Sequence, residues 1–273
     1  MAALPFHPLL SLLAIASYAL ASALLIRPIL QRRPPPRRLV WMAGLAAVAL
    51  HGVDALTAIL TAQGVDLGFF RVSSLIFWMI CVIALGASLR RPLDTMLACL
   101  FPLAAVVVAT ALLVPGPSVP LSRTSPGMAA HVLLSILAYS LLTLAALQAL
   151  TLALLQYRLK HHQLRGIIQV LPPLQTMESM LFELIWVGVI LLSLSIVTGF
   201  VYIDNLFAQH LAHKTVLSIA AWVFFVVLLT GHHALGWRSY TAVRWTLAGF
   251  ALLMLGYFGS KLVLELILHQ PMG

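Results

Sequence analysis

Acidic residues are the scarcest component of this chain. Seven Asp and Glu stand among 273 residues, against sixteen Lys and Arg, and only 8% of the residues are charged. A soluble domain carries about 25% charged residues, so that class is excluded. With so few carboxylates, carboxylate-based acid/base catalysis and a hard-cation pathway both lack ligands. Cysteine is almost as rare. Cys81 and Cys99 fall in different apolar runs with no C-x-x-C, which argues against a thiol-redox protein or a thiolate metal site. G-x-S-x-G, H-E-x-x-H and glycine-rich phosphate loops are missing, and the chain is read as non-enzymatic. No Lys or Arg precedes the first apolar run in M-A-A-L-P-F-H-P, so a first span is expected there rather than a cleaved leader.

What is present is apolar: 62% of the residues. The composition predicts an all-α, polytopic integral membrane protein forming one membrane domain over 1–273. A window of about 19 residues gives eight spans. They run over 6–26, 39–62, 69–89, 94–114, 128–156, 180–203, 214–234 and 245–267. The fifth, from Met128 to Gln156, exceeds what a bilayer needs; a short interfacial helix is expected near Thr176, ahead of the sixth. The net charge of +9 is topological information rather than a sign of nucleic-acid binding. Twelve of the sixteen basic residues fall in the loops after spans one, three, five and seven: Arg27, Arg32, Arg33, Arg37, Arg38, Arg90, Arg91, Arg158, Lys160, Arg165, Arg238 and Arg244. The positive-inside rule then puts both termini outward, toward a bacterial periplasm across the inner membrane. The outer loops would be 63–68, 115–127 and 204–213.

Polar residues inside such spans need a reason. Asp54 is the one acid expected to lie deep, and His51 stands three residues before it on the same helix face. Asp54 can accept the ring N–H of His51 and raise its basicity as a ligand; the alternative is a polar contact that only packs two helices. His131 opens the fifth span, and His210, His213 and His269 fall at a similar depth on the outer side. The seventh span runs from His213 to the pair His232 and His233. Interfacial histidines are also tolerated without any ligand. Imidazole suits iron, zinc or copper, so the pattern favours axial ligation of a haem-like cofactor.

Several stretches also carry a resemblance. They are F-P-L-A-A from Phe101, H-V-L-L-S-I-L-A-Y from His131, L-P-P-L-Q-T-M-E from Leu171, T-G-F-V-Y from Thr198, K-T-V-L-S-I-A-A-W from Lys214, and G-W-R at Gly236 to Arg238. With these the chain resembles the cytochrome c assembly protein family, the haem-handling membrane proteins of cytochrome c maturation, nearest its YpjD/HemX-like branch. The resemblance implies haem as cofactor and two outer histidines around a tryptophan-rich loop. His131 matches the first and His269 the second; His213 is the outer alternative that its position offers. It further implies His51 and, approximately, His232 as intramembrane histidines; the orientation of His51 by Asp54 rests on their spacing. Lys214 and Trp222 match the trailing part of the tryptophan-rich loop. The expected metal ligands are therefore His131, His269 and His51. Loop 204–213, D-N-L-F-A-Q-H-L-A-H, contains no Trp. That departure favours a second reading: a non-enzymatic accessory subunit of a divalent-cation efflux or other membrane complex, with another membrane protein as partner.

Overall fold

A computed structural model describes residues 7–31, 33–61, 64–66, 68–114, 120–121, 125–161, 171–202 and 209–256. The described residues contain eight helices: α1 (His7–Leu30), α2 (Arg37–Ile59), α3 (Phe69–Ala87), α4 (Asp94–Leu113), α5 (Pro126–Lys160), α6 (Leu174–Tyr202), α7 (Gln209–Leu235) and α8 (Tyr240–Met254). Seven of them have the length and apolarity to cross a membrane. α8 is described over 15 residues, and the rest of the expected eighth span lies outside the described residues. The chain is a polytopic helical membrane protein.

Prolines and caps place the helix starts. Pro34 to Pro36 precede α2. Ser125 accepts from the Met128 N–H at 3.2 Å and Pro126 fills the first helical position of α5. Pro172 and Pro173 precede α6. Two expectations are corrected here. α6 is continuous from Leu174, so no separate interfacial helix forms at Thr176: nothing between Pro173 and Tyr202 breaks the helical run. α7 begins at Gln209, so the end of the expected 204–213 loop is helical, because Q-H-L-A-H continues the helical run without a Gly or Pro. The loops 63–68 and 115–127 contribute short strands β2 (Gly64–Asp66) and β3 (Pro120–Leu121), and the end of the expected second span, 39–62, forms β1 (Leu60–Thr61) instead of helix; the three make one antiparallel sheet in the order β1-β2-β3.

The chain divides into two compact units. In the first, α1 packs on α2, α2 on α3, α3 on α4, and α4 returns to α1. Its core holds Tyr18, Leu25, Ile80, Leu97, Leu100 and Phe101. Tight approaches are made at glycine: a Cβ on Gly52 would meet the Trp78 indole at 2.7 Å, and that indole N–H donates to the Val48 carbonyl at 2.9 Å. Asp66, buried in β2, accepts from the Gly68 N–H at 3.0 Å and pairs with Arg71. This pairing accounts for a basic residue that falls outside the positive-inside loops.

In the second unit α5 packs on α6, α6 on α7, α7 on α8, and α8 on α5. Leu142, Leu144, Leu152, Leu181, Ile185 and Phe225 fill its core. Gly188 lies under Leu142 and Gly249 under Phe225. Outward faces carry Leu150, Val187, Ile190 and Val197, as expected where the solvent is hydrocarbon. Both units close a ring of four antiparallel neighbours, although no fixed-period repeat is visible in the sequence.

Gly52→Val is expected to expel the Trp78 indole from its seat and lower stability by about 1–3 kcal/mol, as overpacking does. Thermal unfolding in detergent, compared with wild type, measures the loss.

Candidate functional site

His131 lies in the second turn of α5, half-buried against α6. Its Nδ1 donates to the Ser195 carbonyl at 2.8 Å, with the Thr198 hydroxyl oxygen further off at 3.4 Å. A carbonyl can only accept, so Nδ1 carries the proton and Nε2 of the neutral ring keeps its lone pair. Among the described residues no group occupies that nitrogen. The ring lies over Gly199, where a Cβ would come within 3.0 Å of Cε1. Below it, the Ser135 and Ser195 hydroxyls join α5 to α6 at 2.7 Å. An imidazole pinned at Nδ1 by a carbonyl and open at Nε2 is the usual preparation of a metal ligand.

His51, fully buried in the first unit, is arranged differently. Its Nδ1 meets the Tyr18 hydroxyl at 3.1 Å and its Nε2 meets the Ser74 hydroxyl at 2.9 Å. In a neutral ring one hydroxyl accepts the N–H and the other donates to the lone pair, so neither nitrogen is open. The groups that orient His51 are thus hydroxyls from α1 and α3, rather than the Asp54 carboxylate that sequence spacing suggests. Asp54 accepts from the Ser11 hydroxyl at 2.8 Å. The reason is tertiary: neighbouring helices present hydroxyls at bonding distance to both ring nitrogens.

His232 is half-buried near the end of α7. Its Nδ1 donates to the Trp237 carbonyl at 2.7 Å, and its ring stacks on Phe182 with centroids 3.6 Å apart. His233 is exposed and lines a cavity of about 330 Å³ with Trp186, Leu229 and Thr230. Trp222 donates to the Ser193 hydroxyl at 2.8 Å, tying α7 to α6. His213 is exposed near the start of α7, and no bond links it to His131 among the described residues. His269 lies outside the described residues, as do the side chains of His210 and His7. No group of three or more His, Cys, Asp or Glu gathers to hold a metal among the described residues.

Some supporting residues were not singled out from the sequence. Tyr18, Ser74 and Ser195 act through contacts between separate helices. Gly199 lies inside T-G-F-V-Y, where a glycine in mid-span is the available signal of a close approach. Buried Glu178 is a further case, since Asp54 was the one acid expected to lie deep. It accepts from the Ser239 N–H at 2.8 Å and lies 3.5 Å from the Arg238 guanidinium. Ser239 has φ 56°, a left-handed conformation that costs a non-glycine residue energy, and Gly236 has φ 66°. The Glu178 carboxylate therefore fastens a strained turn between α7 and α8.

The family model described as "Cytochrome C assembly protein" matches residues 39–268, most of the chain. The chain belongs to the cytochrome c assembly protein family. Within that similarity, the inner membrane protein YpjD of Escherichia coli (strain K12) is 35% identical over 262 residues, covering 95% of this chain and 99% of that protein. An uncharacterized 28.8 kDa protein of Azospirillum brasilense, in a nifR3-like 5'region, is 31% identical over 140 residues, 50% of this chain and 52% of its own length. No solved structure gives a significant match. The match covers all but the first two residues of α2 and every helix from α3 to α8, His131, Ser195 and Gly199 included.

Glu178→Ala should lower the unfolding temperature in detergent more than Glu178→Gln does. The glutamine keeps an acceptor for the Ser239 N–H, whereas alanine leaves that donor unmet, at a cost of about 1–3 kcal/mol.

Proposed function

We propose that this protein binds or chaperones haem in the bacterial inner membrane, with His131 as one axial ligand. The carrying observation is the geometry of that imidazole: Nδ1 spent on the Ser195 carbonyl, Nε2 open, and the ring seated over Gly199. The donor chemistry fits iron. A neutral imidazole with a carbonyl behind it is a haem ligand of the ordinary kind. Family membership and likeness to an inner membrane protein support the same reading. His213 or His269 would supply the second outer ligand once the cofactor is bound. His51 has both nitrogens engaged and serves better as a packing residue than as a ligand. His232 has no partner at Nε2 among the described residues but stacks on Phe182, which restricts a planar group to its other face. Bound haem would contribute an iron centre held for delivery or assembly. The chain's own part is to hold the ring, keep its tautomer and shelter one face. We read both termini as periplasmic, from the basic loops, and the protein as non-enzymatic.

Protein purified in detergent and titrated with haemin should develop a Soret band. His131→Ala should abolish most of it. Gly199→Ala, which crowds Cε1, should weaken haem affinity about tenfold, as disturbing the groups around a ligand does. Both variants should keep the wild-type unfolding temperature within a few degrees, and free imidazole should restore part of the band in His131→Ala. A wild-type protein that stays colourless with excess haemin would overturn the reading.

A further inference from the structure

One end of the first unit holds a cavity of about 410 Å³ that no part of the haem reading uses. Arg37, Arg38 and Trp41 from α2, Ser88 just after α3, and Asp94 and Leu97 from α4 line it. Arg38 is exposed and meets no carboxylate among the described residues. Arg37 lies 3.7 Å from Asp94 but is 72% exposed, so that pair is weak and neutralises one of the two guanidiniums at most. The Trp41 indole N–H is shielded from the surface and has no hydrogen-bond partner among the described residues. A shielded donor without an acceptor is a cost the fold would shed by binding one. The Pro36 cap makes no side-chain bond to the first turn of α2, and no side-chain acceptor meets the backbone N–H groups of that turn among the described residues. The Ser88 hydroxyl donates to the Leu85 carbonyl at 2.6 Å and is already satisfied.

Cations, an orphan donor and an uncapped 23-residue helix start all call for an anion with several acceptor oxygens. The surroundings say what carries it. Leu39, Met42 and Leu45 continue along α2 with large exposed apolar surfaces. A small soluble anion would leave them as they are, whereas a lipid covers them while its phosphate fills the cavity. We propose that this cavity is a specific site for an anionic phospholipid. Its phosphate is held by Arg37 and Arg38, a small turn of the Trp41 ring brings the indole N–H to a phosphate oxygen, and its acyl chains lie along Leu39, Met42 and Leu45. Asp94 is the one acid among the described lining residues; it keeps Arg37 in place and sets the balance there at two cations to one anion.

The test uses the full-length protein in detergent, with native mass spectrometry after addition of phosphatidylglycerol, phosphatidylcholine or inorganic phosphate. Wild type should retain phosphatidylglycerol in preference to phosphatidylcholine, and phosphate at the same concentration should not displace it. Arg38→Gln changes an exposed side chain and leaves the fold intact. It should cut the preference about fivefold, the effect of one charge at a membrane surface. Adding Trp41→Phe, which keeps the ring and removes the N–H, should reduce it further. Arg90→Gln, a basic residue outside the lining, should leave it unchanged. Equal retention of the two lipids, an Arg38→Gln variant that behaves as wild type, or displacement of the lipid by inorganic phosphate would each overturn the proposal.

Discussion

A bilayer supplies no hydrogen bonds, so each polar group inside a span must find its partner within the protein. In these helices most hydroxyls do so silently. Ser73, Ser140, Thr143 and Thr246 return to the carbonyl four residues back on their own helix. The polar groups that cannot do this reach across to a neighbouring helix, and those crossings fix the packing. Tyr139 donates to the Leu253 carbonyl at 2.6 Å and Gln148 to the Met177 carbonyl at 3.0 Å, locking α5 to α8 and α6. Trp222 does the same for α6 and α7. The candidate site on α5 is one more of these crossings.

The two best-placed histidines answer the same demand in opposite ways. His51 is fully buried and closed by a hydroxyl on each side. Its bonds join α1, α2 and α3, and it rests edge-on against Tyr18, the rings 5.7 Å apart. Ligation there would require breaking one of those bonds inside a packed core. His131 spends one nitrogen and leaves the other open. The difference is one of satisfaction: a closed histidine is a structural joint, and a half-open one is available for chemistry.

The class of protein was legible from composition alone, and the helices were legible from apolar runs and prolines. His131 was legible as well, because an imidazole directly after a capped helix start stands out in an oily span. Its partner was not, because a backbone carbonyl leaves no mark on the sequence; any residue at position 195 offers one. His51 shows the same limit from the other side. Sequence spacing supplied Asp54 on the same face, but the structure supplied Tyr18 and Ser74 from other helices. Local spacing finds partners along one helix, and a bundle draws its partners from several. The α7–α8 turn was hidden for a related reason: Glu178 stands 61 residues from the Ser239 N–H it accepts.

The scarcity of acids and the use of a carbonyl behind His131 reflect one constraint. A carboxylate in that place would raise the basicity of the ring further, but it would bring a charge into a region where an ionised group needs a partner of its own. The Ser195 carbonyl brings none. It already accepts from the Thr198 hydroxyl at 2.9 Å and belongs to a continuous helix, so it cannot swing away from the ring. α5 and α6 are the most extensively packed pair in their unit, so the imidazole takes its position from the rigid part of the bundle. The ring is thus oriented by backbone geometry, at no electrostatic cost. Of the buried carboxylates, Asp66 and Glu178 each have an arginine beside them, whereas Asp54 accepts from the Ser11 hydroxyl. Two of the three buried carboxylates are thus held by arginine, and the polar groups deeper in the apolar region, Asp54 among them, are directed by carbonyls and hydroxyls.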